Sequence, residues 1–204
     1  ADQLGATIQE HCRFIDAKLR DDGKISISYL PDATQPLNKQ AAPSEASCHL
    51  IINAGGPWVT HIQENIGFAA NGPTVSLVQG SHIELDQPLN DGIFYVESPI
   101  DQRPVFIMPW PTGALVGTTE HAHSGAPESC QASDTEINYL KQTLSHYFPD
   151  YQGQITNSWA GLRVLPEAKS DTATNLRPFA NRARDTIIHQ DNPSQPRAIT
   201  LYGG

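Results

Sequence analysis

An arginine set within an apolar run is the first feature of this sequence that could do chemistry. In "WAGLRVLPE", Arg163 lies among residues suited to burial. A guanidinium withdrawn from water needs a partner, so Arg163 is either ion-paired or holding an anion. Arg184, which opens a strand in "ARDTIIH", reads by itself as a solvated edge charge. His82 follows a Gly-Ser break in "VQGSHIEL"; a lone strand histidine is usually a hydrogen-bonded structural residue. "GTTEHAH" places His121 and His123 two apart, as metal ligands can be. No third ligand stands at a convincing spacing, so no metal is expected and the pair reads as a solvent-facing loop. "INAGGPW" puts a glycine turn after a short apolar run. Such turns can cradle a phosphate, but this one is not G-x-G-x-x-G and by pattern alone reads as a strand-to-helix turn. Cys12, Cys48 and Cys130 are scattered, odd in number and without Cys-x-x-Cys spacing, which suggests reduced thiols in a cytoplasmic setting. Cys12 does follow His11, but adjacent strand residues point to opposite faces, so the thiols read as buried bystanders.

These residues need a scaffold, and the composition supplies one. Over 204 residues, 38% are hydrophobic and 17% charged, which describes a globular chain able to bury a core. The net charge of −9 excludes a general nucleic-acid binder. It leaves room for an anion site, because Arg163, Arg177, Arg182, Arg184 and Arg197 cluster late in the chain. No apolar run is long enough to span a bilayer, and the start lacks the basic and apolar regions of a signal peptide.

The elements follow from pattern. Two strands joined at "DDG" form a hairpin near the start, followed by a polar connection, "PDATQPLNKQAAPSEAS", that reads as a surface loop. "CHLIINAGG" suits a buried strand, and "PWVTHIQENIG" a short helix with Pro at its first position. From Thr74 onward, strands at turn-punctuated intervals predict an antiparallel meander. One helix interrupts it: Ser133 and Glu136 make a capping-box pair, and Ile137, Leu140, Leu144, Tyr147 and Phe148 mark its apolar face. Three further strands end on "RAITLYGG". The fold class is α+β, with a smaller strand-rich piece before about Gly67 and a larger sheet after it.

Each motif is weak alone, but their order is specific. "INAGGPW", "VQGSHIEL", "FIMPWPTGALVGTTE", "EINYLKQTLSHYFP", "WAGLRVLPE", "RDTIIH" and "ITLYGG" follow one another from about Leu50 to Gly204. This series resembles the FAD-dependent, aerobic glycerol-3-phosphate dehydrogenases of the D-amino-acid-oxidase-like flavoprotein superfamily. That family shows "NATGPW", "KGSHIV", "IPW…IGTTD", "SGVRPL", "RDY" and "FGGKLTTYR" in the same order.

The resemblance implies an enzyme that oxidises sn-glycerol 3-phosphate to dihydroxyacetone phosphate by hydride transfer to FAD, with electrons passed to quinone. Arg163 and Arg184 match the family's phosphate clamps, for which a guanidinium fork is suited. His82 matches a histidine near the substrate hydroxyls, able to orient or accept the C2 hydroxyl proton. Ala54, Gly55, Gly56 and Trp58 match a turn that approaches the FAD, and Gly80 and Ser81 the crossing beside the flavin ring. Gly203 and Gly204 match a double glycine of the flavin domain that is followed by further chain. The implied layout is residues 1–66 as a C-terminal piece of the FAD-binding, Rossmann-like domain, lacking its N-terminal βαβ. Residues 67–196 would be the substrate-binding sheet, and 197–204 the return into the FAD domain. An interior stretch of this kind is not expected to retain FAD or turn over alone. Family members work at the cytoplasmic face of the respiratory membrane, which implies a cytoplasmic, peripheral location. Gly55 in place of threonine and Glu120 in place of aspartate are the main departures. A sister oxidase passing electrons to oxygen, an enzyme for a different hydroxy or amino substrate, and a non-enzymatic anion-binding module are the rivals.

Overall fold

The computed structural model describes residues 2–31, 42–69, 72–89, 92–167 and 186–203. The chain divides into two compact units, Ala1–Thr74 with Asp185–Gly204, and Val75–Arg184. The division differs from the sequence reading at both borders. The strand at Ile187–Gln190, placed by that reading with the larger sheet, pairs within the first unit.

In the first unit, β1 (Arg13–Leu19) and β2 (Ile25–Leu30) form the hairpin expected at Asp21-Asp22-Gly23, with Gly23 at φ +78°. β3 (Ser44–Cys48) extends this sheet alongside β2, so the end of the polar connection is a strand and not a loop. Its sequence, SEASC, carries no apolar alternation, and its backbone pairing alone makes it a strand. A second sheet has the order β11-β12-β4, from β4 (Ile51–Asn53), β11 (Ile187–Gln190) and β12 (Ala198–Tyr202). β11 and β12 are antiparallel, whereas β12 and β4 are parallel, with Ile51 opposite Ala198. α1 (Val59–Asn65) follows β4 after a single 3-10 turn containing Pro57, as the sequence suggested. Ala17, Ile25, Ile66, Ala69 and Ala198 make the core of this unit. β4 is only partly buried: Ile52 is 62% exposed.

The second unit is an antiparallel sheet of order β10-β5-β8-β7-β6, with β9 also beside β5. Its strands are β5 (Val75–Leu85), β6 (Phe94–Glu97), β7 (Pro104–Trp110), β8 (Gly113–Gly117), β9 (His121–His123) and β10 (Ile155–Pro166). α2 (Asp134–Tyr147) lies on one face. Leu140 and Leu144 pack there with Ile83, Leu85, Val105, Ile107, Ala114 and Val116, and Ile137 and Phe148 lean against the same cluster. Each such buried side chain contributes about 1.5–3 kcal/mol, so this helix is held by packing more than by its own propensity. Tyr147 departs from the expected face; it is 41% exposed and its hydroxyl donates to the Glu97 carbonyl at 2.7 Å. The Ser133–Glu136 capping box is present as read. Because strand side chains alternate, Gly80, His82 and Glu84 point away from α2 while Ser81, Ile83 and Leu85 point toward it.

Candidate active site

β5 is the strand on which the site is built. Along one side it pairs with β10 for its whole length. Along the other, β8 pairs with His82–Leu85 and β9 with Leu77–Gln79, so the chain between β8 and β9 leaves the ladder level with Gly80 and Ser81. Side chains fill that interruption. The Ser81 N–H donates to Thr119 Oγ1 at 2.8 Å, and the Thr119 hydroxyl donates to Glu136 Oε1 at 2.6 Å on the α2 side. Thr118, one residue earlier, turns the other way, and its Oγ1 accepts from Arg163 Nη2 at 3.4 Å.

Glu136 is buried and accepts from Gln79 Nε2 (2.8 Å), the Ser133 hydroxyl (2.8 Å) and the Ser133 N–H (3.1 Å) as well. Burial pushes its carboxyl upward, but the hydrogen bonds from Thr119 and Ser133 outweigh that and hold it at about 2. The capping glutamate therefore fixes the interruption from behind.

On the opposite face, His82 stands directly across from Trp159 on one side and Gly117 on the other. The imidazole stacks on the indole with centroids 4.2 Å apart and planes inclined by 15°. Trp159 Nε1 donates to Glu84 Oε1 at 3.0 Å, which fixes the indole in turn. A Cβ on Gly117 would collide with His82 Cδ2, so the ring occupies the space that this glycine leaves. Arg163 follows Trp159 by four residues and shares its face. It reaches back over Gly80, where an added Cβ would lie 2.5 Å from Thr118 Oγ1 and 2.9 Å from Arg163 Nη1. Burial lowers the His82 pKa below its usual value, and the Arg163 charge lowers it further, so the ring is neutral near pH 7. A neutral base and a guanidinium thus share one face, an arrangement that can take a proton from a hydroxyl on an anionic molecule.

In the first unit, the turn after β4 is shaped by Asn53. Its buried amide accepts from the Gly55 N–H at 3.1 Å and donates to the Val59 carbonyl at 2.9 Å, binding strand end to helix start. Ala54, Gly56 and Trp58 face outward, with Gly56 at φ +53° and nothing within 4 Å of where its Cβ would be. At Gly55 a Cβ would meet Cδ1 at the tip of the Ile62 side chain.

Of the residues singled out in the sequence, His82, Arg163 and Gly80 come together. Ser81 sits on the same strand but turns toward α2. Gly203 ends β12 at φ +76°, while Arg184 and Gly204 lie outside the described residues. Arg197, one of the late arginines, donates to the Gly23 carbonyl and is structural. His121 and His123 form β9, a strand where a loop was expected; His123 bonds Gln79 Oε1 at 3.2 Å. Among the described residues, no group of three or more His, Cys, Asp or Glu is placed to hold a metal ion. The three cysteines are free, and burial raises Cys48 and Cys130, which makes those two poor nucleophiles. Trp159, Glu84 and Thr118 were missed. The period-two series Trp159-x-Gly161-x-Arg163, all on one strand face, was the available signal.

Known proteins resemble this chain in sequence and in fold. Glycerol-3-phosphate dehydrogenase of Synechocystis sp. (strain ATCC 27184 / PCC 6803 / Kazusa) is 35% identical over 172 residues, 76% of this chain and 29% of that protein. D-erythritol 1-phosphate dehydrogenase of Brucella abortus (strain 2308) is 27% identical over 100% of this chain and 39% of its own length. The chain therefore spans less than half of each. The fold matches the X-ray structure of glycerol-3-phosphate dehydrogenase from Bacillus halodurans complexed with FAD, with a TM-score of 0.68 at 22% identity over 92% of this chain and 34% of that one. The sequence profile described as "FAD dependent oxidoreductase" (DAO) matches residues 1–191. The chain belongs to this DAO family of FAD-dependent oxidoreductases.

Proposed function

We propose that the whole protein oxidises the C2 hydroxyl of sn-glycerol 3-phosphate, giving dihydroxyacetone phosphate. FAD, when bound, would supply the acceptor for the C2 hydride, with a quinone as the proposed onward electron acceptor. Ala54, Gly56 and Trp58 fit such a group, since the turn offers bare backbone at Gly56 and an exposed indole beside it. Gly80, Gly203 and Gly204 are further candidate contacts, whereas Ser81 is fully buried on the α2 side. His82 takes the hydroxyl proton while Arg163 holds the phosphate, with Arg184 as its proposed second ligand. The observation that supports this most directly is the shared face of a neutral His82 and Arg163. Peripheral association with the inner face of the cytoplasmic membrane belongs to the same proposal; among the described residues no helix is long and apolar enough to cross a membrane.

Arg163→Lys in the full-length, flavin-loaded enzyme tests the reading. An ammonium cannot reproduce a two-pronged fork, and losing a charge-assisted contact should raise the glycerol 3-phosphate KM about ten- to a hundredfold. Flavin content should be unchanged; an unchanged KM would overturn the phosphate assignment. A second reading, a four-carbon polyol phosphate, is favoured by the match to the Brucella abortus protein over 100% of this chain. Relative kcat/KM on the two substrates separates them.

A further inference from the structure

Gly161 lies midway between Trp159 and Arg163 on β10, directly across from Gly80, and shares their face. Glycine within a strand weakens it, by about 0.5–1 kcal/mol relative to alanine, so it calls for a reason. The two glycines of this pair have different ones. At Gly80 a Cβ would run into Thr118 and Arg163. At Gly161 a Cβ would meet nothing within 4 Å among the described residues, and the backbone is not in the left-handed region. The residue is exposed. Neither conformation nor packing within the described residues accounts for glycine at position 161. The open space above Gly161 lies between His82 and Arg163, on the face to which the proposed reaction assigns the substrate.

We infer that Gly161 is a specificity-determining residue, whose missing side chain gives the carbon chain of a polyol phosphate room to pass between His82 and Arg163. The inference rests on the proposed reaction. It assigns the floor of the site to the carbon skeleton, leaving the phosphate to Arg163 and the reacting hydroxyl to His82. A methyl group on that floor would lift the substrate by an ångström or more and spoil its alignment with the base.

The test is Gly161→Ala in the full-length holoenzyme, with Gly80→Ala beside it. Gly161→Ala should keep its melting temperature and flavin content, raise the KM for glycerol 3-phosphate by about tenfold or more, and leave the inhibition constant of inorganic phosphate within about twofold. Gly80→Ala should instead lose stability, because its Cβ has atoms to displace. An unchanged KM overturns the inference, as does a loss of stability or of flavin, which would give the space to protein or cofactor. An equal rise for inorganic phosphate also overturns it, since the floor would then belong to the phosphate. If the wild-type enzyme turns over no polyol phosphate, the proposed reaction itself fails and the inference with it, a result distinct from an active wild type that is indifferent to Gly161→Ala.

Discussion

On the α2 side of the six-stranded sheet, Glu136 is buried and accepts from Thr119, Gln79 and Ser133. On the other side, one residue further along β5 from Ser81, His82 has its Nδ1 buried with no hydrogen-bond partner among the described residues and its ring pressed against Trp159. The first arrangement satisfies a charge and ties strands together. The second holds an ionisable ring in place by shape, leaving its chemistry uncommitted. A side chain meant to exchange a proton with a ligand is better fixed by stacking than by a strong internal hydrogen bond, which would bias the proton. The two faces thus separate what stabilises the sheet from what the sheet presents.

Substitutions can break that separation if it is wrong. The largest loss of stability should come from Leu140→Ala on the α2 side. Leu140 is fully buried, and truncation should lower unfolding free energy by about 2–5 kcal/mol in chemical denaturation. A loss under 1 kcal/mol would mean that α2 is not anchored by this face.

Glu136→Gln comes next, and acid sharpens it. The folded pKa of Glu136, about 2, lies below its ordinary 4.5. Its stabilising contribution is therefore complete above the ordinary value and is lost as pH falls from there toward the folded one. Wild-type stability should decline across that interval more steeply than that of Glu136→Gln, measured by thermal melts at stepped pH. Parallel curves would show that the carboxylate is not the group being held.

Trp159→Leu should have the smallest effect on stability, under about 1 kcal/mol, because the indole is 39% exposed. Its effect should appear in function. With His82 as the proposed base, the acid limb of kcat/KM should lie below the ordinary histidine value of 6.5 in the wild type and move up toward it once the stacked ring is gone. An unmoved limb would detach Trp159 from His82.

Local features were legible in the sequence. The "DDG" hairpin and the Ser133–Glu136 capping box depend on neighbours in the chain, and both are present. So is the antiparallel meander, because period-two patterning and turns are short-range signals. The features that eluded reading depend on distant partners. β3 is a strand only because β2 offers it a ladder, and β11 pairs with β12 within the first unit. The candidate site divided in the same way. His82 and Arg163 could be picked out by resemblance, but not the reach of Glu136 from a helix cap through Thr119 to Ser81, which spans three elements. Trp159 was overlooked because a tryptophan in an apolar strand ordinarily signals core.

The parallel pairing of β4 with β12 sets an order of events during synthesis. Ile51 leaves the ribosome long before its partner Ala198, with all of Val75–Arg184 between them. At roughly 5–20 residues per second, β4 waits on the order of ten seconds for the strand that covers its edge. During that wait the edge of β4 that β12 will take up has not yet met that partner, and such an edge is a template for other strands. The second unit closes its ladders among its own residues, so it can fold while β4 is still waiting. Slow or stalled translation within it should therefore raise aggregation through β4 without any defect in the finished fold.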